Sequence, residues 1–271
     1  MRGTSGASLA AAQERFEPVL RSAAGEAATL GEQLFAVVTA LDESGALRRS
    51  LADPSRDGED KARLVAAVLD GRFDERVVDL VSGLARSRWS DESDLTDAVE
   101  RLGLDAVLAS AESRGALETV EDELFRLTRA LAGQRETRQA LSDQSASPER
   151  RAALADALVE GKVDPVTLLL VRRATTTLRG RRFVPTLLWY GDVAAERRKR
   201  LVAAVTSATV LTAAQEERLG GILENAYGRP VQLNVSVDPA VVGGLRIQVG
   251  ADVVDSTVLS RLADARRRLA G

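Results

Sequence analysis

Apolar residues in the middle of the chain recur with a helical period. Leu34, Val37, Val38 and Leu41 follow the i, i+3, i+4, i+7 spacing that lays one apolar stripe along a helix, and Leu124, Leu127 and Leu131 follow it again. Asp53-Pro54-Ser55 and Ser147-Pro148-Glu149 each predict a helix start, with proline tolerated in the first turn because its missing N–H would have no partner there. Gly71 and Gly161 predict the ends of those helices, since glycine accepts the left-handed conformation at C′.

These signals coincide because the chain repeats. At an offset of 90 residues, Leu34 to Val81 aligns without gaps with Leu124 to Val171. Identical pairs include Phe35 with Phe125, Asp53 with Asp143, Glu59 with Glu149, Gly71 with Gly161 and Asp74 with Asp164. Conservative pairs such as Lys61 with Arg151 extend the agreement. Two helical copies are expected.

Past residue 200 the period changes. Val202 to Thr206 is rich in small and β-branched residues and reads as a weak strand. Thr212 with Gln215 forms a capping box, and Leu219, Ile222, Leu223 and Ala226 predict the buried stripe of the next helix, which Gly228 and Pro230 should stop. Val231, Leu233, Val235 and Val237 alternate with polar residues, as do Leu245, Ile247 and Val249. With the glycine-containing connection from Asp238 to Gly244 between them, the two runs read as a β-hairpin. Ser256 is placed to cap a final helix carrying Val258, Leu259 and Leu262 inward and Arg266, Arg267 and Arg268 at its end.

The expected fold is mainly α: tandem N-terminal helical bundles over 1–115 and 116–200, followed by a small C-terminal α/β domain with a β-hairpin over 201–271.

Composition narrows the chemistry. The 271 residues include no histidine and no cysteine, which excludes a Ser-His-Asp triad, a thiolate nucleophile, a zinc-thiolate site and disulfides. The missing cysteines and the absence of an apolar segment after Met1 favour an intracellular setting. Formal net charge is -3, so any attraction to polyanions must be local.

The local candidate is the basic segment 179–200, with Arg179, Arg181, Arg182, Arg197, Arg198, Lys199 and Arg200, which supports a nucleic-acid-binding alternative. Trp189 and Tyr190 lie within it, though packing beside Leu187 and Leu188 is their expected role. The first copy is acidic in the corresponding stretch, at Asp91, Glu92, Asp94 and Asp97, which suggests different partner surfaces on the two copies. Gly243-Gly244, Gly250 and Gly161-Lys162 lack the spacing of a phosphate-binding loop and read as turns. No catalytic, cofactor-binding or metal-ligating residue is nominated. A carboxylate-only active site would need a cleft around a perturbed Asp or Glu.

A specific resemblance covers the C-terminal region. It runs through Val205-Thr206-Ser207-Ala208, Leu211-Thr212, Tyr227-Gly228, the stretch Val231 to Pro239, Val242 to Gly250, and Val253 to Val258, ending in Leu259 to Leu269. These residues resemble the C-terminal part of the delta subunit of bacterial F-type ATP synthases, relatives of the mitochondrial oligomycin-sensitivity-conferring protein. Val120 to Arg200 is similar to that family's N-terminal helical bundle, and the extra helical copy is the departure from its usual length.

The resemblance implies a non-catalytic stator of the peripheral stalk, without a cofactor. A helical domain would grip N-terminal segments of the alpha subunits on the catalytic head, and the C-terminal domain would hold the b subunits. Contact with the cell membrane, at its cytoplasmic face, would come only through the complex, and nucleic acid would not be a partner.

Overall fold

The computed structural model describes residues 3–159, 161–199, 201–227, 231–239, 241, 244–249 and 252–255. The chain divides into two compact units, 1–195 and 196–271.

In the first unit the elements recur at the sequence offset. Helix α1 (Gly3–Ala23) leads through a 3₁₀ turn into α2 (Ala27–Glu43), α3 (Gly45–Ala52), α4 (Gly58–Leu69), α5 (Glu75–Arg86) and α6 (Glu92–Ser113). Then come α7 (Leu117–Ala130), α8 (Arg135–Leu141), α9 (Pro148–Val159), α10 (Pro165–Thr176) and α11 (Phe183–Lys199). Each of α7 to α10 begins 90 residues after its counterpart among α2 to α5.

Small polar devices recur with them. Asp53 Oδ1 accepts from the backbone N–H (2.9 Å) and hydroxyl (2.7 Å) of Ser55, and Asp143 Oδ1 accepts from Ser145 at the same two distances. These bonds, the hydroxyl's foremost, hold both carboxyls below their ordinary pKa. Lys61 and Arg151 are buried and donate to the carbonyls of Asp53 (3.3 Å) and Asp143 (2.9 Å), respectively. At the next turn the Asp74 N–H donates to Gln33 and the Asp164 N–H to Glu123. Gly71 and Gly161 follow α4 and α9 with φ of 73° and 72°.

The proline expectation holds in one copy and fails in the other. Pro148 opens α9, but Pro54 lies in a turn ahead of α4. Asp57 caps α4 instead, its side chain accepting from the N–H of Glu59 at 2.8 Å and satisfying a donor the helix leaves open.

Two cores share one helix. The first gathers Phe16, Leu20, Leu34, Val38, Val77 and Leu84 around Leu95, Val99, Leu102 and Ala106 of α6. The second gathers Leu124, Leu170, Phe183, Leu187 and Tyr190 around Leu104, Val107, Leu108 and Ala111 of the same helix. Every residue from Leu102 to Ala111 is buried, which is how a helix flanked on both sides must appear. The expected boundary at 115/116 falls just after this common helix.

Helix α2 crosses α6 at two glycines. A Cβ on Gly31 would meet Val107 Cγ2 at 2.5 Å and the Gly103 carbonyl oxygen at 2.7 Å, and one on Gly103 would meet the Phe35 ring at 2.8 Å. Here glycine is required because the helix backbones themselves approach.

The second unit contains β1 (Leu201–Ser207), α12 (Ala213–Tyr227), β2 (Val231–Val237), β3 (Leu245–Val249) and β4 (Asp252–Asp255). Strand order is β2-β1-β3-β4, with β1 parallel to β2 and antiparallel to β3. The hairpin expected between Val231–Val237 and Leu245–Val249 is therefore corrected: β1 lies between them. Parallel pairing needs a long crossover, and the segment carrying α12 supplies it. The antiparallel neighbours that do follow directly in sequence are β3 and β4.

The capping box is present, with the Thr212 N–H donating to Gln215 Oε1 at 2.8 Å and the Gln215 N–H to Thr212 Oγ1 at 3.3 Å. The stripe on α12 is narrower than expected. Leu223 is buried and Leu219 partly so, whereas Ile222 and Ala226 are exposed. The small core of Ala203, Val205, Leu223, Val231 and Ile247 presents only one narrow face to the helix. The expected stop at Gly228 and Pro230 and the final helix from Ser256 lie outside the described residues.

Candidate partner-binding surfaces

The basic segment tests the nucleic-acid alternative directly. The turn between α10 and α11 points Arg179 at the first copy, where it pairs with Asp42 at 2.7 Å, Asp97 at 3.0 Å and the buried Glu100. Arg181 also pairs with Glu100, and its guanidinium lies 4.8 Å from the centre of the Trp189 ring. Burial works against the charge on Arg179, but its three carboxylates outweigh that cost and its pKa is raised.

Arg197 is buried as well, while Arg182 is exposed. The side chains of Lys199 and Arg200 lie outside the described residues. Arg179 and Arg197 are thus withdrawn from the surface a polyanion would need and Arg181 is engaged by Glu100, while Arg198, like Arg182, is exposed.

This geometry revises the reading of the two charged stretches as separate partner surfaces. Asp97 and Glu100 face Arg179 and Arg181, so opposite charges on the two copies meet each other. Of the remaining acidic residues, Asp91 caps α6 by accepting from the Ser93 N–H at 2.8 Å, Asp94 accepts from the Ser5 hydroxyl at 2.6 Å, and Glu92 pairs with Arg48 at 3.3 Å.

The aligned phenylalanines show the same asymmetry. Phe35 on α2 is buried in the second core, with the Arg173 guanidinium 4.6 Å from its ring centre. Phe125, its counterpart on α7, is 54% exposed. Sequence gave no hint of the difference, because it depends on which copy has a neighbour. Arg173 has its pKa lowered chiefly by burial. Burial likewise pushes the Tyr190 phenol well above its ordinary value. Tyr190 and Leu187 are buried as expected, Trp189 partly so, and Leu188 is half exposed.

Beside Phe35 an open groove of about 470 Å³ runs between α2 and α10, lined by Ala36, Thr39, Pro165, Leu168 and Leu169 among others. In the second unit Val210, Ile222 and Val237 are exposed apolar side chains. Gly161 is the positive-φ residue after α9, and Lys162 donates to the Leu158 carbonyl at 3.3 Å, so this pair serves a helix end. Gly243 and Gly250 lie outside the described residues.

Among the described residues no group of three or more acidic side chains has metal-site geometry, and no helix is long and apolar enough to cross a membrane. The chemistry on view is that of packing faces and ion pairs.

Comparison with known proteins gives these faces a context. A family profile described as the ATP synthase delta (OSCP) subunit matches residues 105–269. A Beutenbergia cavernae protein named ATP synthase subunit delta is 58% identical over 271 residues, covering 100% of both chains. Proteins of the same name from Kineococcus radiotolerans and Streptomyces griseus are 48% and 44% identical. They cover 99% and 100% of this chain and 98% and 100% of their own lengths, respectively, so the whole duplicated length is common to these relatives.

Proposed function

The chain belongs to the ATP synthase delta (OSCP) subunit family, and from that premise we propose that it is a non-catalytic stator of the peripheral stalk, clamping the catalytic head to the b subunits. Proton-driven rotation drags on the head, and ATP synthesis requires that the head stay still. A protein that resists this drag needs buried interfaces with slow dissociation and no reactive group.

In this reading one helical domain of the two copies, taken as 1–115 and 116–200, grips N-terminal segments of the alpha subunits. The domain over 201–271 holds the b subunits. The chain reaches the cytoplasmic face of the cell membrane only as part of the proton-translocating complex. The full-length identity to proteins named ATP synthase subunit delta carries the reading. The absence of histidine and cysteine agrees with a role that makes and breaks no bonds.

Membrane vesicles stripped of this chain should hydrolyse ATP without pumping protons, and adding the purified chain back should restore pumping. Unimpaired pumping in the stripped vesicles would reject the proposal.

A further inference from the structure

We infer that the Arg179 turn is a latch that sets the angle between the two helical copies, so that the 1–195 unit acts as one stiff body and not as two bundles rocking about a common helix. The inference concerns the unit by itself and holds whatever partners it grips.

Helix α6 joins the copies but does not fix their angle, because each core grips a different face of it. Helices α2 and α10 face each other across the open groove beside Phe35. Close packing resists deformation, and an open groove lacks the atoms that would supply that resistance.

Besides Phe35, held in the second core under the Arg173 guanidinium, a second tie between the copies is the ion cluster at the C-terminal end of α2. Arg179 binds Asp42 on α2 and Asp97 and Glu100 on α6, so it engages two elements at once. A tilt of either copy breaks at least one pair. Glu100 is 2% exposed as a residue and is shared with Arg181, so water and salt weaken the Arg179–Glu100 pair less than they would on an open surface.

The backbone is set for the same purpose. Arg179 has φ of 45° and the following Gly180 has φ of 72°. The first is a conformation that side-chain-bearing residues adopt rarely, and such residues persist where surrounding contacts over-determine them. Arg181 then anchors the turn to its own copy through the face of Trp189.

The absence of native cysteine makes the test clean. Spin labels at Ala67→Cys on α4 and Ala157→Cys on α9, both exposed and both at the same place in their copies, report the distance between copies in the full chain. Pulsed dipolar spectroscopy should give one narrow distribution. Arg179→Gln in that background should broaden it roughly twofold while far-UV circular dichroism stays the same, and Asp42→Asn should broaden it less.

A distribution that is already broad without the variants would overturn the inference, as would an unchanged width in folded Arg179→Gln. If Arg179→Gln does not fold, Asp42→Asn decides alone: broadening supports the latch, and an unchanged width rejects it.

Discussion

Substituting alanine for Gly31 is the sharpest test of the packing between α2 and α6. In an exposed helix Gly→Ala gains about 1 kcal/mol of helix propensity. At Gly31 the new Cβ would sit 2.5 Å from Val107 Cγ2 and 2.7 Å from the Gly103 carbonyl oxygen. The valine can rotate, but the carbonyl belongs to the backbone of α6 and cannot. Restoring an ordinary separation moves the helices apart by roughly 0.7 Å, and a gap of that size forfeits about a quarter to a half of each dispersion contact nearby.

Leu34, Phe35 and Val38 on one helix and Val99, Leu102 and Ala106 on the other are buried in the affected cores, and all would lose contact. Overpacking of this kind costs about 1–3 kcal/mol, and the strained carbonyl places Gly31 at the upper end. After the propensity gain is subtracted, Gly31→Ala should destabilise the helical unit by about 1–2 kcal/mol, lowering its Tm by roughly 2–8 °C for a unit of this size.

The assay is thermal and urea unfolding followed by far-UV circular dichroism, with Gly191→Ala as the control. Gly191 lies in α11 with nothing within 4 Å of its added Cβ, so that variant should be neutral or gain up to about 1 kcal/mol. If Gly31→Ala is as stable as Gly191→Ala, the argument from backbone approach is wrong.

Arg151→Ala should cost about 2–4 kcal/mol in urea titration, because the buried guanidinium binds the carbonyls of Thr175, Asp143 and Ala146 and would leave them without it. Asp74 has its carboxyl held at about 2 by the Arg76 side chain, whose two N–H groups donate to it at 2.8 and 2.7 Å. A folded-state pKa below the unfolded value stabilises the fold above about pH 4, and that contribution fades as pH falls toward 2. The pair is partly exposed, so solvent reduces its worth to about 1 kcal/mol or less. Asp74→Asn, which keeps a capping side chain, should therefore differ from the parent at neutral pH and converge with it in acid. An equal difference across the whole range would count against the ion pair. Thr212→Ala should remove about 1 kcal/mol from the second unit alone, seen as faster amide exchange along α12.

Local chemistry was the part of the fold legible in the sequence. Gly71, Gly161, Pro148 and the Thr212–Gln215 box each mark an event settled within a few residues, and each appears where its chemistry put it. Pro54 misled because two starting signals stood close together, and Asp57 offered the better cap. Strand pairing is hidden in the sequence for a different reason. Alternation reveals which residues face inward but not which strand lies alongside, and glycine in the Asp238 to Gly244 connection suggested a hairpin. The sequence did hold the contrary signal: a strand, a helix and another strand in succession, which favours parallel pairing across a crossover. The surfaces were hardest to read. Phe35 and Phe125 align in sequence, yet the other copy packs against Phe35 and buries it while Phe125 stays exposed.

Sharing α6 means that neither bundle can be cut away cleanly. A fragment ending after Ser113 would present Leu104, Val107, Leu108 and Ala111 to water, inviting aggregation. A fragment beginning at Ala116 would lack the wall on which its own interior is built. Proteolysis or gene truncation near residue 115 should thus injure both halves together.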